Sequence, residues 1–111
     1  MESNSLLNEE YLMNLLCQAG AAKSAAMNAI YKAREGCYAE ALHQLQISDE
    51  IFKEVHKCQT ELIGLDEGQG KVTMTLILTH IQDHIMNGML CKEMATEFVE
   101  LYRQCKEKQN A

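Results

Sequence analysis

Proline is absent from the 111-residue chain and aromatic side chains make up only 5% of it. Nothing in the sequence therefore need break a helix from within, and the aromatic residues that favour strands are scarce. No Lys/Arg cluster exists either, and the net charge of -6 is spread along the chain. That excludes the basic footprint a phosphate backbone requires, so no nucleic-acid partner is expected. No run of about 18 uncharged apolar residues occurs. The opening "MESNSLLNEEYL" is acidic where a signal peptide would be basic and then apolar, so a soluble cytoplasmic protein without membrane insertion is expected. A CxxC pair is missing too. Cys17, Cys37, Cys58, Cys91 and Cys105 are odd in number and widely spaced, which fits neither a disulfide framework nor a structural zinc site, and they are expected to be reduced, small hydrophobes.

What is present is a chain that is 47% hydrophobic and 23% charged, the composition of one helical domain, residues 1–111, with a modest core. Three helical segments separated by glycine-marked breaks account for most of it. The first is expected over about residues 8–35, with Leu12, Leu15, Ala19, Ala22, Ala26, Ala29 and Ala33 on one stripe that Leu16 and Ile30 broaden. So many alanines predict close helix-to-helix approach. Gly36 in "REGCYAEA" suits the left-handed conformation that closes a helix, and so short a connection makes an antiparallel hairpin. The second segment, about 38–63, aligns Ala41, Leu45, Ser48, Phe52, Val55 and Leu62, with Gln59 as a polar member of the same face. After the loop "GLDEGQG" the third is expected over about 71–106. Its consecutive Leu76, Ile77 and Leu78 span roughly 200 degrees, more than one packing face can bury. A second burial surface is required, most simply a homo-oligomer.

Inside that apolar helix, "THIQDHIM" places His80, Gln82, Asp83 and His84. Asp83 lies roughly 60 degrees to one side of His80 and His84 roughly 40 degrees to the other, while Gln82 points about 200 degrees away. Burying a carboxylate and two imidazoles beside "LIL" and "IM" is costly unless they are paired or coordinated. The pattern admits hydrogen-bonded core groups, a register-fixing cluster in a non-catalytic oligomeric adaptor, a metal-binding bundle using His80, Asp83 and His84, or chemistry at a histidine. A zincin-like site is disfavoured because the glutamate of HExxH is missing. Cysteine catalysis is disfavoured because Cys91 stands roughly 16 Å along the helix from His80. A neutral imidazole, by contrast, can hold a phosphoryl group as a labile P–N bond without any nucleotide loop, and the chain contains none.

"HIQDHIM" followed by "TEFVELYRQ", together with "AGAAKSAAMNAI", "AREGCYAEA" and "VHKCQTELI", resembles the lactose/cellobiose-type IIA components of the bacterial phosphoenolpyruvate-dependent sugar phosphotransferase system over nearly the whole chain. The resemblance implies an all-α, three-helix up-down-up antiparallel bundle assembling as a trimeric nine-helix bundle. It implies phosphotransferase activity: His80 accepts a phosphoryl group on its tele nitrogen from the phosphocarrier HPr and passes it to a cysteine of a IIB component, for uptake of a disaccharide of lactose, cellobiose or chitobiose type. Asp83 matches the carboxylate that meets its symmetry mates around one divalent ion, Mg²⁺, on the trimer axis. Gln82 and His84 match the supporting positions, His84 within its own chain and Gln82 reaching a neighbouring subunit. Ile81 stands where some relatives carry a small residue, and is expected either to narrow the approach to His80 or to pack between subunits. The acidic charge suits a basic surface on HPr.

Overall fold

A computed structural model describes residues 8–110. The chain forms α1 (Glu9–Arg34), α2 (Tyr38–Asp66) and α3 (Leu76–Asn110), with no strand among the described residues. Helix α1 begins where the Asn8 side chain accepts from the Tyr11 backbone N–H at 2.8 Å. It satisfies one of the orphan donors of the first turn, and Glu9 and Glu10 add the negative charge that the helix dipole favours there. The helix ends at Gly36, whose φ of 88° costs a residue without Cβ little. Its N–H donates to the Ala33 carbonyl, and that of Cys37 to the Lys32 carbonyl.

Three contacts fix the directions of the helices. Ser48 Oγ donates to the Ala22 carbonyl at 2.7 Å, bringing the middle of α2 to the middle of α1. Tyr38 Oη donates to the Tyr102 carbonyl at 3.0 Å, so α2 starts where α3 ends. Gly88 sits beside Ala19 and the Phe52 ring, so α1 and α3 run in the same direction with α2 reversed. This is the up-down-up bundle expected, drawn out to 63 × 24 × 20 Å. Helix α1 packs extensively on both of its partners, and the contact between α2 and α3 is smaller.

The core has two parts of different character. At one end Leu12, Leu15, Phe52, Val55, Leu62, Leu78, Ile81 and Ile85 meet in a cluster of large side chains. Towards the other, Ala26, Ala29, Ala33, Ala41 and Ala95 let the helices approach closely, with Leu45 and Val99 closing the layer. Every residue expected on the α1 and α2 stripes is buried, Gln59 included, apart from the flanking Leu16 and Ile30, which are half-buried.

Helix limits differ from expectation around the second connection. Helix α2 runs through Gly64 to Asp66 before Glu67 turns left-handed at φ 54°, because a single interior glycine costs only about 1 kcal/mol and packing overrides it. Residues 71–75, expected to be helical, are not. Asp66 holds them in the loop, its carboxylate accepting from the N–H groups of Gly70 (3.3 Å) and Val72 (3.0 Å), and the Val72 side chain is buried. Helix α3 starts only after Thr75, whose Oγ1 accepts from the Leu78 N–H. It then continues to Asn110, beyond the end expected. Cys17, Cys37 and Cys105 are exposed rather than buried among hydrophobes, whereas Cys58 and Cys91 are half-buried; all five are free thiols.

Candidate functional site

Helix α3 shows the clearest mismatch between side-chain character and environment. Leu76, Leu90, Met94 and Leu101 are 88%, 55%, 51% and 54% exposed. Their spacing repeats alternately at four and three residues, with His80, Asp83, Asn87 and the exposed Glu97 filling the remaining positions of the same stripe. A 3.5-residue apolar repeat is the pattern of a helix that packs against another helix. One chain leaves it open. Beside the stripe, between α1 and α3, a groove of about 490 Å³ is lined by Met27, Ile30, Leu90, Met94 and Phe98 among others.

The polar cluster interrupts this stripe one turn after α3 begins. His80 and Asp83 are exposed and His84 half-buried, so within one chain these groups bear little of the desolvation that the sequence suggested. The two imidazoles face one another, ring centroids 4.5 Å apart and tilted by 51°. That arrangement follows from their i,i+4 spacing and puts a second nitrogen-bearing ring against the His80 ring. Asp83 Oδ1 accepts from Asn87 Nδ2 at 2.9 Å, one turn further along. Gln82 lies on the other flank, half-buried, its Oε1 accepting from Gln59 Nε2 of α2 at 2.8 Å. The cluster is therefore two units on opposite flanks of α3: His80 with His84, and Gln82 with Gln59, with Asp83 between.

One expectation needs correction. Ile81 neither narrows the approach to His80 nor packs between subunits: it is fully buried in its own chain among the large side chains of the core. Its position, about 100 degrees from His80, points it at α1 and α2. Within one chain no group of three His, Cys, Asp or Glu among the described residues could hold an ion. His43 and His56 are exposed on α2. His56 lines a shallow pocket with Asp49, Phe52, Lys53, Met89 and Lys92 instead of joining His80.

The family described as "PTS system, Lactose/Cellobiose specific IIA subunit" matches residues 10–103, which include all three helical faces and the whole polar cluster. The chain belongs to this family. The lichenan-specific phosphotransferase enzyme IIA component of Bacillus subtilis (strain 168) is 40% identical over 103 residues, covering 93% of this chain and 94% of that protein. Among solved structures, the cellobiose-specific enzyme IIA from Bacillus anthracis superposes with a TM-score of 0.82 at 36% identity, covering 95% of this chain and 98% of that one. The IIA(chitobiose) chain in its solution complex with HPr, from the Escherichia coli N,N'-diacetylchitobiose branch, gives 0.77 at 39% identity, covering 88% and 95%. The protein is thus a IIA subunit, a phosphotransferase component of a sugar phosphotransferase system. Membership decides against the non-catalytic adaptor. No helix among the described residues is long and apolar enough to cross a membrane.

Missing from the sequence reading was the contact between Gln59 and Gln82. Its signal was present, since Gln59 is the polar residue that falls on the otherwise apolar buried stripe of α2 around Val55 and Leu62.

Proposed function

We propose that His80 is the phosphoryl carrier of this IIA subunit, accepting from phospho-HPr and donating to a cysteine of the IIB component in the cytoplasm, for uptake of a disaccharide of the lactose, cellobiose or chitobiose type. The observation that carries this reading is the exposed His80 imidazole, backed by His84 and set in an apolar stripe. In the forward step the Nε2 lone pair of neutral His80 forms an N–P bond as the P–N bond of the donor histidine breaks. The donor nitrogen keeps the bonding pair and takes up one proton, His80 Nδ1 gives one up to solvent, and the donor is left as a neutral imidazole with the charges in balance. The second step repeats the displacement with a thiolate of IIB as nucleophile. His84, whose ring lies against that of His80, would donate to the phosphoryl oxygens.

The apolar stripe is best covered by two further copies of the chain, giving the homotrimer. Around a three-fold axis running along it, the His80 flank of each α3 meets the Gln82 flank of the next, so Gln82 serves the neighbouring chain's His80. Asp83, between the flanks, then faces the axis. Each chain would bring its Asp83 carboxylate there, and three would make an all-oxygen site of the kind a hard divalent ion such as Mg²⁺ takes. Such an ion would neutralise three carboxylates. The transfer steps are written without it.

Incubation with phospho-HPr should place an acid-labile, alkali-stable phosphate on the peptide that contains His80, and addition of the cognate IIB should remove it. Phosphate mapped to His43 or His56 would contradict the assignment.

A further inference from the structure

Among the described residues only Ser48 and Gln59 are buried polar side chains. Ser48 is accounted for by the Ala22 carbonyl. Gln59 instead reaches out of the core to a side chain of the phosphoryl site, its Nε2 standing 2.8 Å from Gln82 Oε1 and 3.7 Å from Met86 Sδ.

A pair of carboxamides can bond in either polarity, because each carries both a donor and an acceptor end. Met86 removes the ambiguity. A thioether sulfur accepts and cannot donate, so the end of Gln59 that faces both Gln82 and Met86 is its NH₂, with one hydrogen for each. Gln82 is consequently the acceptor of the pair and directs its own NH₂ elsewhere. A phosphoryl group presents only acceptor oxygens, so that polarity is the useful one: a Gln82 turned the other way would set a carbonyl oxygen against the phosphate.

We infer that Gln59, with Met86, is a positioning residue for phosphoryl transfer, holding the Gln82 carboxamide with its N–H donors outward towards the phosphoryl group. This rests on the assignment of Gln82 to the phosphoryl site made above. Gln59 itself touches neither substrate nor His80; it acts through Gln82.

The test uses the full-length protein, phospho-HPr as donor, and the variants Gln59→Glu, Gln59→Met and Gln82→Met. Gln59→Glu keeps the shape but can only accept, so Gln82 turns its NH₂ inward and its oxygen outward. Gln59→Met keeps the bulk and removes the clamp without reversing it. The expected kcat for transfer falls about tenfold or more in Gln59→Glu, as for loss of a donor to developing charge, and less in Gln59→Met. KM for phospho-HPr should stay within about twofold in both, because the contact surface is untouched. Combining Gln59→Glu with Gln82→Met should cost no more than Gln82→Met alone. A merely structural Gln59 would lower melting temperature and active fraction without regard to polarity, so a Gln59→Met variant as impaired in kcat as Gln59→Glu overturns the inference. So does a Gln59→Glu protein that transfers at the unmutated rate while Gln82→Met is slow, which leaves Gln82 in the site and removes only Gln59. Should Gln59→Glu fail to fold, an unchanged kcat in Gln59→Met overturns it and a fall supports it. An unimpaired Gln82→Met would overturn the placement of Gln82 together with this inference.

Discussion

Replacing Ile81 by alanine separates stability from chemistry at a position next to the reactive histidine. Ile81 is wholly buried, and with Ile85 it is one of the largest side chains in the core to be so. It packs in the cluster that includes Leu12, Leu15, Phe52 and Val55. Truncation removes three carbons and leaves a cavity that three rigid helices close only in part, at a cost of about 3 to 4 kcal/mol. For a chain of this size each kcal/mol moves the melting midpoint by about 4 to 5 °C, which predicts a fall of roughly 12 to 20 °C. Melting should be followed by circular dichroism at one fixed protein concentration, since self-association stabilises the fold by mass action. Phosphorylation by phospho-HPr should be measured well below the new midpoint. The expected outcome is a much less stable protein that still takes up its phosphoryl group at close to the normal rate. A variant that melts within a few degrees of the parent yet transfers at a clearly altered rate would show that Ile81 faces the site and not the core.

Gly88→Ala should destabilise despite the better helix propensity of alanine, because the new Cβ would come within 2.7 Å of the Phe52 ring. The net expected loss is about 1 kcal/mol, read by urea unfolding, and shrinks when Phe52→Leu makes room. Asp83→Leu removes the charge from the apolar stripe, so assembly measured by sedimentation should be kept or strengthened and become insensitive to chelators; monomers would contradict the axial placement. Burial first, and then the hydrogen bond with Cys58, pushes the Tyr11 phenol up to about 12. The proton is thus held more tightly in the folded state than in the unfolded one, so the stability Tyr11 contributes is complete below its ordinary value near 10 and is lost as pH rises through 12. Ultraviolet titration should find a phenol that ionises near pH 12, and Tyr11→Phe should abolish that step; a late step that survives the substitution, or no late step in the parent, would refute it.

How far the sequence could be read depended on which contacts were local. The buried face of α2 was legible residue by residue, down to Gln59, and that of α1 apart from Ala25, because a single period of 3.6 residues records which side of each helix is covered. Helix α3 carries two apolar faces, and periodicity says that both need covering without saying by what. That ambiguity put Ile81 near the site, whereas its direction along the helix puts it in the core. Residues 71–75 follow the last glycine of the loop "GLDEGQG" and hold neither proline nor glycine, so nothing in their composition delays the start of the helix. The Asp66 carboxylate, which ties Gly70 and Val72 into the loop, is a contact that no pattern encodes. The cluster itself was legible as a motif, yet its division into a histidine pair and a glutamine clamp needed the position of α2 beside α3.

Everything functional in this account turns on His80 as the carrier. The most direct measurement is the intact mass of the purified protein, with His80→Ala beside it, after incubation with phosphoenolpyruvate, Enzyme I and HPr. One phosphoryl group gained per chain in the unmutated protein and none in His80→Ala is the predicted result; a gain in both, or in neither, would contradict it.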